Sequence, residues 1–153
     1  MRLESPAFRD GAPIPATHSR DGGDVSPPLS WTDPPAGTRS FALVCDDPDA
    51  PRGTWIHWVL WDIPAAARSL AGGAGSSEKP AGGGVHGSND FEERRWGGPA
   101  PPRGHGVHHY RFHLYALDAE PTLKPGASRA ALDDAMKGHV LAEATLVGTY
   151  RRD

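Results

Sequence analysis

A single cysteine stands in this chain, so an intrachain disulfide and a cysteine-based zinc site are both excluded. That residue, Cys45, ends the apolar run Phe41-Ala42-Leu43-Val44-Cys45, where a buried, inert thiol is expected. No clustered run of Lys and Arg exists, and Arg94-Arg95 directly follow Glu92-Glu93. With a net charge of −3, this leaves nothing to neutralise several phosphates, and nucleic acid is excluded as a partner. No stretch approaches the ~20 apolar residues that span a bilayer, so membrane insertion is not expected. The opening Met1-Arg2-Leu3-Glu4-Ser5-Pro6 lacks the apolar centre of a secretory signal, and the expected compartment is a reducing cytoplasm. No serine sits in a GxSxG elbow, no HExxH is present, and Gly82-Gly83-Gly84 lacks the Lys-Ser/Thr ending of a phosphate loop.

What is abundant is glycine (19) and proline (16), which points to turn-rich β architecture rather than long helices. At 153 residues the chain suits one domain, 1–153, with a real core. The proline-rich first 35 residues are expected to wrap irregularly, anchored by Phe8, Leu29 and Trp31. Strands are expected at 40–45, 54–63 and 107–117, with a final one at 144–151 preceded by a helical start from Leu141. In the second, strict alternation puts Trp55, His57, Val59 and Trp61 on one face and Ile56, Trp58 and Leu60 on the other; both faces are mostly apolar, as in a central strand covered twice. In the third, His108, Tyr110, Phe112 and Leu114 oppose His109, Arg111, His113 and Tyr115. Residues 71–88, dominated by Gly and Ser, read as a long mobile loop. Ser128 to Lys137 is the best helix, capped by Ser128 and stopped by Gly138. The expected fold is a mainly β sandwich with one or two peripheral helices near the C-terminus.

Two separated segments carry the chemistry. Asp47-Pro48-Asp49-Ala50-Pro51 precedes Trp55-Ile56-His57-Trp58, and Gly97-Gly98-Pro99-Ala100-Pro101-Pro102 precedes His108-His109-Tyr110. Each sets a rigid proline turn beside a strand bearing His and an aromatic. His108 and Tyr110 stand two apart on one strand face, so both tips reach a common point. Brought together with His57, they form a small mouth lined by imidazole, phenol and indole, suited to phosphate or carboxylate. Gly98 is expected to let the ligand approach the backbone. Asp47 is expected either to orient an imidazole or to bind as a neutral acid, while Asp49 caps the turn around Pro48. The eight histidines do not make a metal site, because His109 and His113 share a face too far apart to converge and His108 points the other way. Neither metal nor cofactor is expected. An enzymatic alternative, hydrolysis of phosphate or carboxylic esters with His57 as acid/base, stays open.

These segments resemble the phosphatidylethanolamine-binding protein family, in particular its short bacterial and archaeal, Raf-kinase-inhibitor-like branch. The likeness runs from Ser26-Pro27-Pro28-Leu29-Ser30-Trp31 through both proline motifs and Asn89-Asp90-Phe91 to Leu146-Val147-Gly148-Thr149-Tyr150. The resemblance implies a Greek-key β-sandwich whose pocket accepts phosphate, acetate or a phosphorylated head group. Carried onto this chain, the pocket residues are Asp47, Ala50, Pro51, Trp55, His57, Gly98, Pro101, His108 and Tyr110. It also implies a binding or regulatory role, with kinase inhibition and lipid binding attributed to some eukaryotic members, and a homodimer by similarity to bacterial relatives. Fold likeness alone transfers none of these activities. The chain departs from the family in four places: His109 for the usual Arg, Trp96 for Tyr with loss of a rim hydroxyl, Ala100 for Cys or Gly, and Glu92-Glu93 where Gly is common.

Overall fold

The computed structural model describes residues 1–153. Eight strands form two antiparallel sheets. The small sheet joins β1 (Arg2–Glu4), β2 (Leu29–Thr32) and β5 (Ser69–Leu70) in the order β1-β2-β5. The large sheet joins β3 (Ser40–Asp47), β4 (Trp55–Pro64), β6 (Val85–His86), β7 (His108–Leu117) and β8 (Val140–Tyr150) in the order β6-β4-β3-β7-β8. Within it β3, β4 and β6 are successive neighbours and β7 returns to the free side of β3, which is the Greek-key arrangement.

Both faces of the large sheet are covered, and β3 is buried at all eight positions. On one face Leu3, Leu29, Trp31 and Leu70 of the small sheet meet Phe41, Leu43, Trp58, Leu60, Phe112 and Leu114. On the other, Ala42, Val44, Val59, Trp61 and Leu117 pack beneath Leu132 and Met136 of helix α1 (Arg129–Met136). Each large side chain buried this way stabilises the fold by about 1.5–3 kcal/mol. Ser128 caps α1 by accepting the Ala131 N–H at 3.1 Å.

Strict alternation fails in β4. Cys45 pairs with Trp58 while the next residue, Asp46, pairs with Ile56, so His57 is an extra residue in the ladder. A bulge places two successive side chains on one side. His57 therefore joins Trp58 on the small-sheet face, with its ring 5.1 Å from Tyr110 and 6.5 Å from Trp96, instead of following Val59 and Trp61 toward the helix.

Two further expectations change. No helical turn opens the last element: β8 is a strand from Val140, paired with β7 from Leu117↔Val140 to His108↔Tyr150. Long-range ladder bonds outweigh the helical leaning of Leu141-Ala142-Glu143-Ala144. The second short helical piece is instead a 3₁₀ turn at Ala16–His18, near the other end of the chain. Within the expected 71–88 loop, residues 73–76 are tied to Ser26. Gly73 N–H donates to the Ser26 carbonyl at 2.8 Å, Gly75 N–H to Ser26 Oγ at 2.8 Å, and Ser26 N–H to Ser76 Oγ at 3.0 Å. Gly75 lies so close to the Trp58 indole that a Cβ there would fall 2.2 Å from the ring. The Trp58 indole N–H in turn donates to His86 Nε2 at 2.9 Å. The glycines serve this close packing. All peptide bonds, Ala50–Pro51 and Ala100–Pro101 included, are trans.

Candidate binding pocket

The two proline segments meet. All of the predicted residues except Gly98 line one cavity of about 200 Å³. The end of β3 and the turn after it bring Asp47, Ala50 and Pro51; the start of β4 brings Trp55 and His57; Pro101, His108 and Tyr110 close the far side. Trp55, 37% exposed, forms the rim, while Asp47, His57, His108 and Tyr110 are buried. Gly98 has another task. Its N–H donates to Asp24 Oδ1 at 2.7 Å, and a Cβ there would come within 2.2 Å of the His18 carbonyl oxygen. Glycine at this position lets the N-terminal wrap approach, not a ligand.

The polar groups are unequally committed. Asp47 Oδ1 accepts the Asp49 N–H at 2.8 Å and its Oδ2 accepts from His108 Nδ1 at 2.6 Å. His108 Nε2 lies 2.6 Å from Nδ1 of His105, so both nitrogens of His108 are engaged inside the protein. Asp47 thus orients His108 rather than His57. Asp49 behaves as a turn clamp, its Oδ2 accepting the backbone N–H and Nδ1 of His109 at 2.8 and 2.7 Å. His57 Nδ1 donates to the Gly97 carbonyl at 2.6 Å, and its Nε2 has no partner in the protein. Burial lowers the His57 pKa, opposed by the Gly97 bond and by Asp47. Tyr110 is fully buried and its hydroxyl has no hydrogen-bond partner. Burial, followed by the nearby Asp47 charge, pushes that phenol well above its ordinary range. Burial also raises the Cys45 thiol, as expected of an inert position.

Three lining residues, Phe91, Ala100 and Pro102, escaped prediction. Phe91 sets its edge against His57 and Trp55, each at 5.4 Å between ring centres. Its segment is clamped to β4: Ile56 N–H donates to Asp90 Oδ2 at 2.7 Å, and Asn89 Oδ1 accepts the N–H groups of Phe91 and Glu93 at 2.9 and 3.0 Å. The Arg20 guanidinium lies 3.8 Å over the Phe91 ring and pairs with Glu93, which also takes Arg95 at 2.8 Å. A signal existed in Asn89-Asp90-Phe91, a run legible as a motif but not as a wall. Arg20 gave none, because its partner is 73 positions away.

Residues 4–151 match the family model described as phosphatidylethanolamine-binding protein. The chain belongs to that family. A UPF0098 protein of Aquifex aeolicus is 46% identical over 155 residues, covering 100% of this chain and 90% of its own length. Among solved structures, YbcL of E. coli, a member of the mammalian PEBP family, superposes with a TM-score of 0.91 at 33% identity, covering 99% of this chain and 98% of its own. CT736 of Chlamydia trachomatis gives 0.90 at 38% identity, covering 99% and 97%. Within the PEBP frame the departures find their places. Trp96 is fully buried, stacked on Phe112 at 5.7 Å with its indole N–H donating to the His18 carbonyl, and does not itself line the cavity. Glu92 adopts φ +63, the left-handed region where glycine is at ease, and Glu93 anchors the two arginines. No helix is long and apolar enough to cross a membrane.

Proposed function

We propose that this PEBP-family chain is a non-catalytic binding protein whose cavity takes a small oxyanion: phosphate, a phosphorylated head group, or a phosphorylated group on a partner protein. The Tyr110 hydroxyl carries this reading. A buried O–H without an acceptor costs about 1–3 kcal/mol, and a small inward adjustment on binding that lets a ligand oxygen reach it from the adjoining cavity removes that penalty. His57 supplies a second polar contact, while Asp47 and His108 brace the wall. No Lys or Arg lines the cavity, so a free anion is held weakly, roughly micromolar to millimolar. Its volume suits a head group and not an acyl chain. A kinase is one candidate partner by family resemblance; a cytoplasmic setting and a homodimer belong to the same proposal.

Titrating inorganic phosphate while following the imidazole resonances tests the reading. His57 signals shift and saturate, and Tyr110→Phe weakens binding about tenfold or more, as expected for a hydrogen bond to a charged group. Unmoved His57 signals at high phosphate overturn it. The hydrolytic alternative has little to work with, since no Ser, Thr, Cys or Lys lines the cavity and only water is left for His57 to activate. Ester turnover abolished by His57→Ala would restore it.

A further inference from the structure

A second, larger cavity of about 660 Å³ shares no lining residue with the pocket. It lies between the outermost strands of the two sheets: β1 with Leu3 forms one side, and Ala144, Thr145 and Leu146 of β8 form the other. Antiparallel pairing alternates, so the partners of one residue show where its neighbours point. Val147 N–H donates to Asp10 Oδ1 at 2.9 Å and the Val147 carbonyl accepts from Gly11 N–H at 2.7 Å, both away from β7. Thr149 does the same with Ala12 and Ile14, at 3.0 and 2.7 Å. By the period of two, Glu143 and Thr145 also turn N–H and carbonyl outward, and neither has a partner for them in the protein. Across the cavity, Trp31 N–H goes to the Arg68 carbonyl at 2.9 Å rather than to Leu3 opposite it. Leu3 therefore points its own backbone groups away from β2.

The β8 edge is thus half filled. Residues 10–14 lie along 147–149 as an added parallel segment, bridged at Pro13↔Thr149, while 143–145 stay open. Proteins commonly guard such edges with Lys or Pro. Val140 to Leu146 contains neither, and Val140 and Leu141 are 43% and 41% exposed. The floor is apolar, with Ala142 and Ala144 packed on the core that holds Leu3, Phe8 and Leu146. An acyl chain would strand the open N–H and carbonyl groups. The walls set Arg2 and Arg9 against Glu4 and Asp10, and Arg2 already pairs with Glu4 at 2.7 Å, so no net charge is called for. A second copy's β8 does not fit. Antiparallel pairing that satisfies Glu143 and Thr145 of both copies sets Leu141 of one opposite Val147 of the other, where Gly11 already sits. A slender chain without such a wrap does fit, continuing the row that residues 10–14 begin. We infer that the groove binds an extended, uncharged segment of a partner protein, added as a strand along 143–145. Every second side chain of that segment, small or medium and apolar, faces Leu3, Phe8 and Leu146.

Hydrogen exchange and nitrogen-15 spectra of the full chain test this, with the capped peptide acetyl-Thr-Val-Thr-Val-Thr-amide as probe. In dilute protein alone, the amides of Glu143 and Thr145 should exchange at least about tenfold faster than those of Ala144 and Leu146, which pair with Leu114 and Phe112. Saturating peptide should slow the first two about tenfold and shift the Leu3 amide. Two alternately N-methylated forms of the peptide, one on the valines and one on the threonines, should differ at least about tenfold in affinity, because only one set of N–H groups faces β8. Thr145→Pro removes an outward N–H and no bond to β7, and should weaken binding about tenfold. The methylated peptides give the same answer with the protein unaltered, should that variant not fold. Slow exchange of Glu143 and Thr145 in dilute protein, equal affinity of the two methylated forms, or no binding of the probe at millimolar concentration would each overturn the proposal. Protection that grows with protein concentration in the absence of peptide would overturn it as well, by making a second copy the occupant.

Discussion

Asp46 and Asp47 are neighbours on β3, equally buried, and pointed to opposite faces of the same sheet. On the helix side Asp46 is saturated: Arg111 Nε donates at 2.7 Å, Arg129 lies at 3.3 Å and His113 at 3.4 Å. Burial alone would raise its pKa, but hydrogen bonds from His113 and Arg111 overcome that and bring it to about 2. On the pocket side Asp47 meets an imidazole and a backbone amide, and beside it stand an idle hydroxyl and an idle ring nitrogen. A complete polar network rigidifies, whereas an incomplete one leaves polar groups unsatisfied. One sheet shows both, a residue apart.

The contrast can be broken most severely on its saturated side. Asp46→Ala should destabilise the fold by about 2–3 kcal/mol in denaturant unfolding, below the usual range for breaking a buried pair because Arg111 is already 40% exposed. Phosphate binding should persist at a denaturant concentration where the variant is folded. Acid sharpens the same point. Because the folded pKa of Asp46 lies below its ordinary 3.8, its contribution is complete above about pH 4 and disappears as pH falls through about 2. The acid-induced loss of stability over that window should shrink in Asp46→Asn. On the open side, Tyr110→Phe should leave the melting temperature unchanged or slightly raised, since it deletes a polar group that has no partner in the protein, even as it weakens binding. A drop of several degrees would mean the hydroxyl is satisfied after all. The smallest effect concerns strain: Glu92, one of four non-glycine residues with positive φ, directly follows the pocket-lining Phe91. Glu92→Gly should gain about 0.5–1 kcal/mol by relieving the left-handed backbone.

Much of this was legible in the sequence. Alternation assigned the eight side chains from His108 to Tyr115 to their observed faces, because β7 pairs without interruption up to Ala116. Ser128 and Gly138 marked the helix through capping chemistry that is local by nature. The two proline motifs located the pocket because they supply its walls directly. What escaped was non-local or irregular. The face of His57 depends on an uneven ladder that only the pairing with β3 reveals. Gly98 faces Asp24, and Phe91 is held by Arg20, through contacts between segments about seventy residues apart whose compositions announce no partner. Engagement of both His108 nitrogens depended on His105, three residues away in a turn whose bend is invisible to a strand pattern.

The extra residue in β4 has an evolutionary consequence. Because His57 stands outside the pairing count, Cys45↔Trp58 and Asp46↔Ile56 would survive its deletion as consecutive rungs. The cavity-facing ring is in that sense a detachable fitting. A lineage could gain or discard it by a three-nucleotide change and keep every other side chain of the scaffold on its own side.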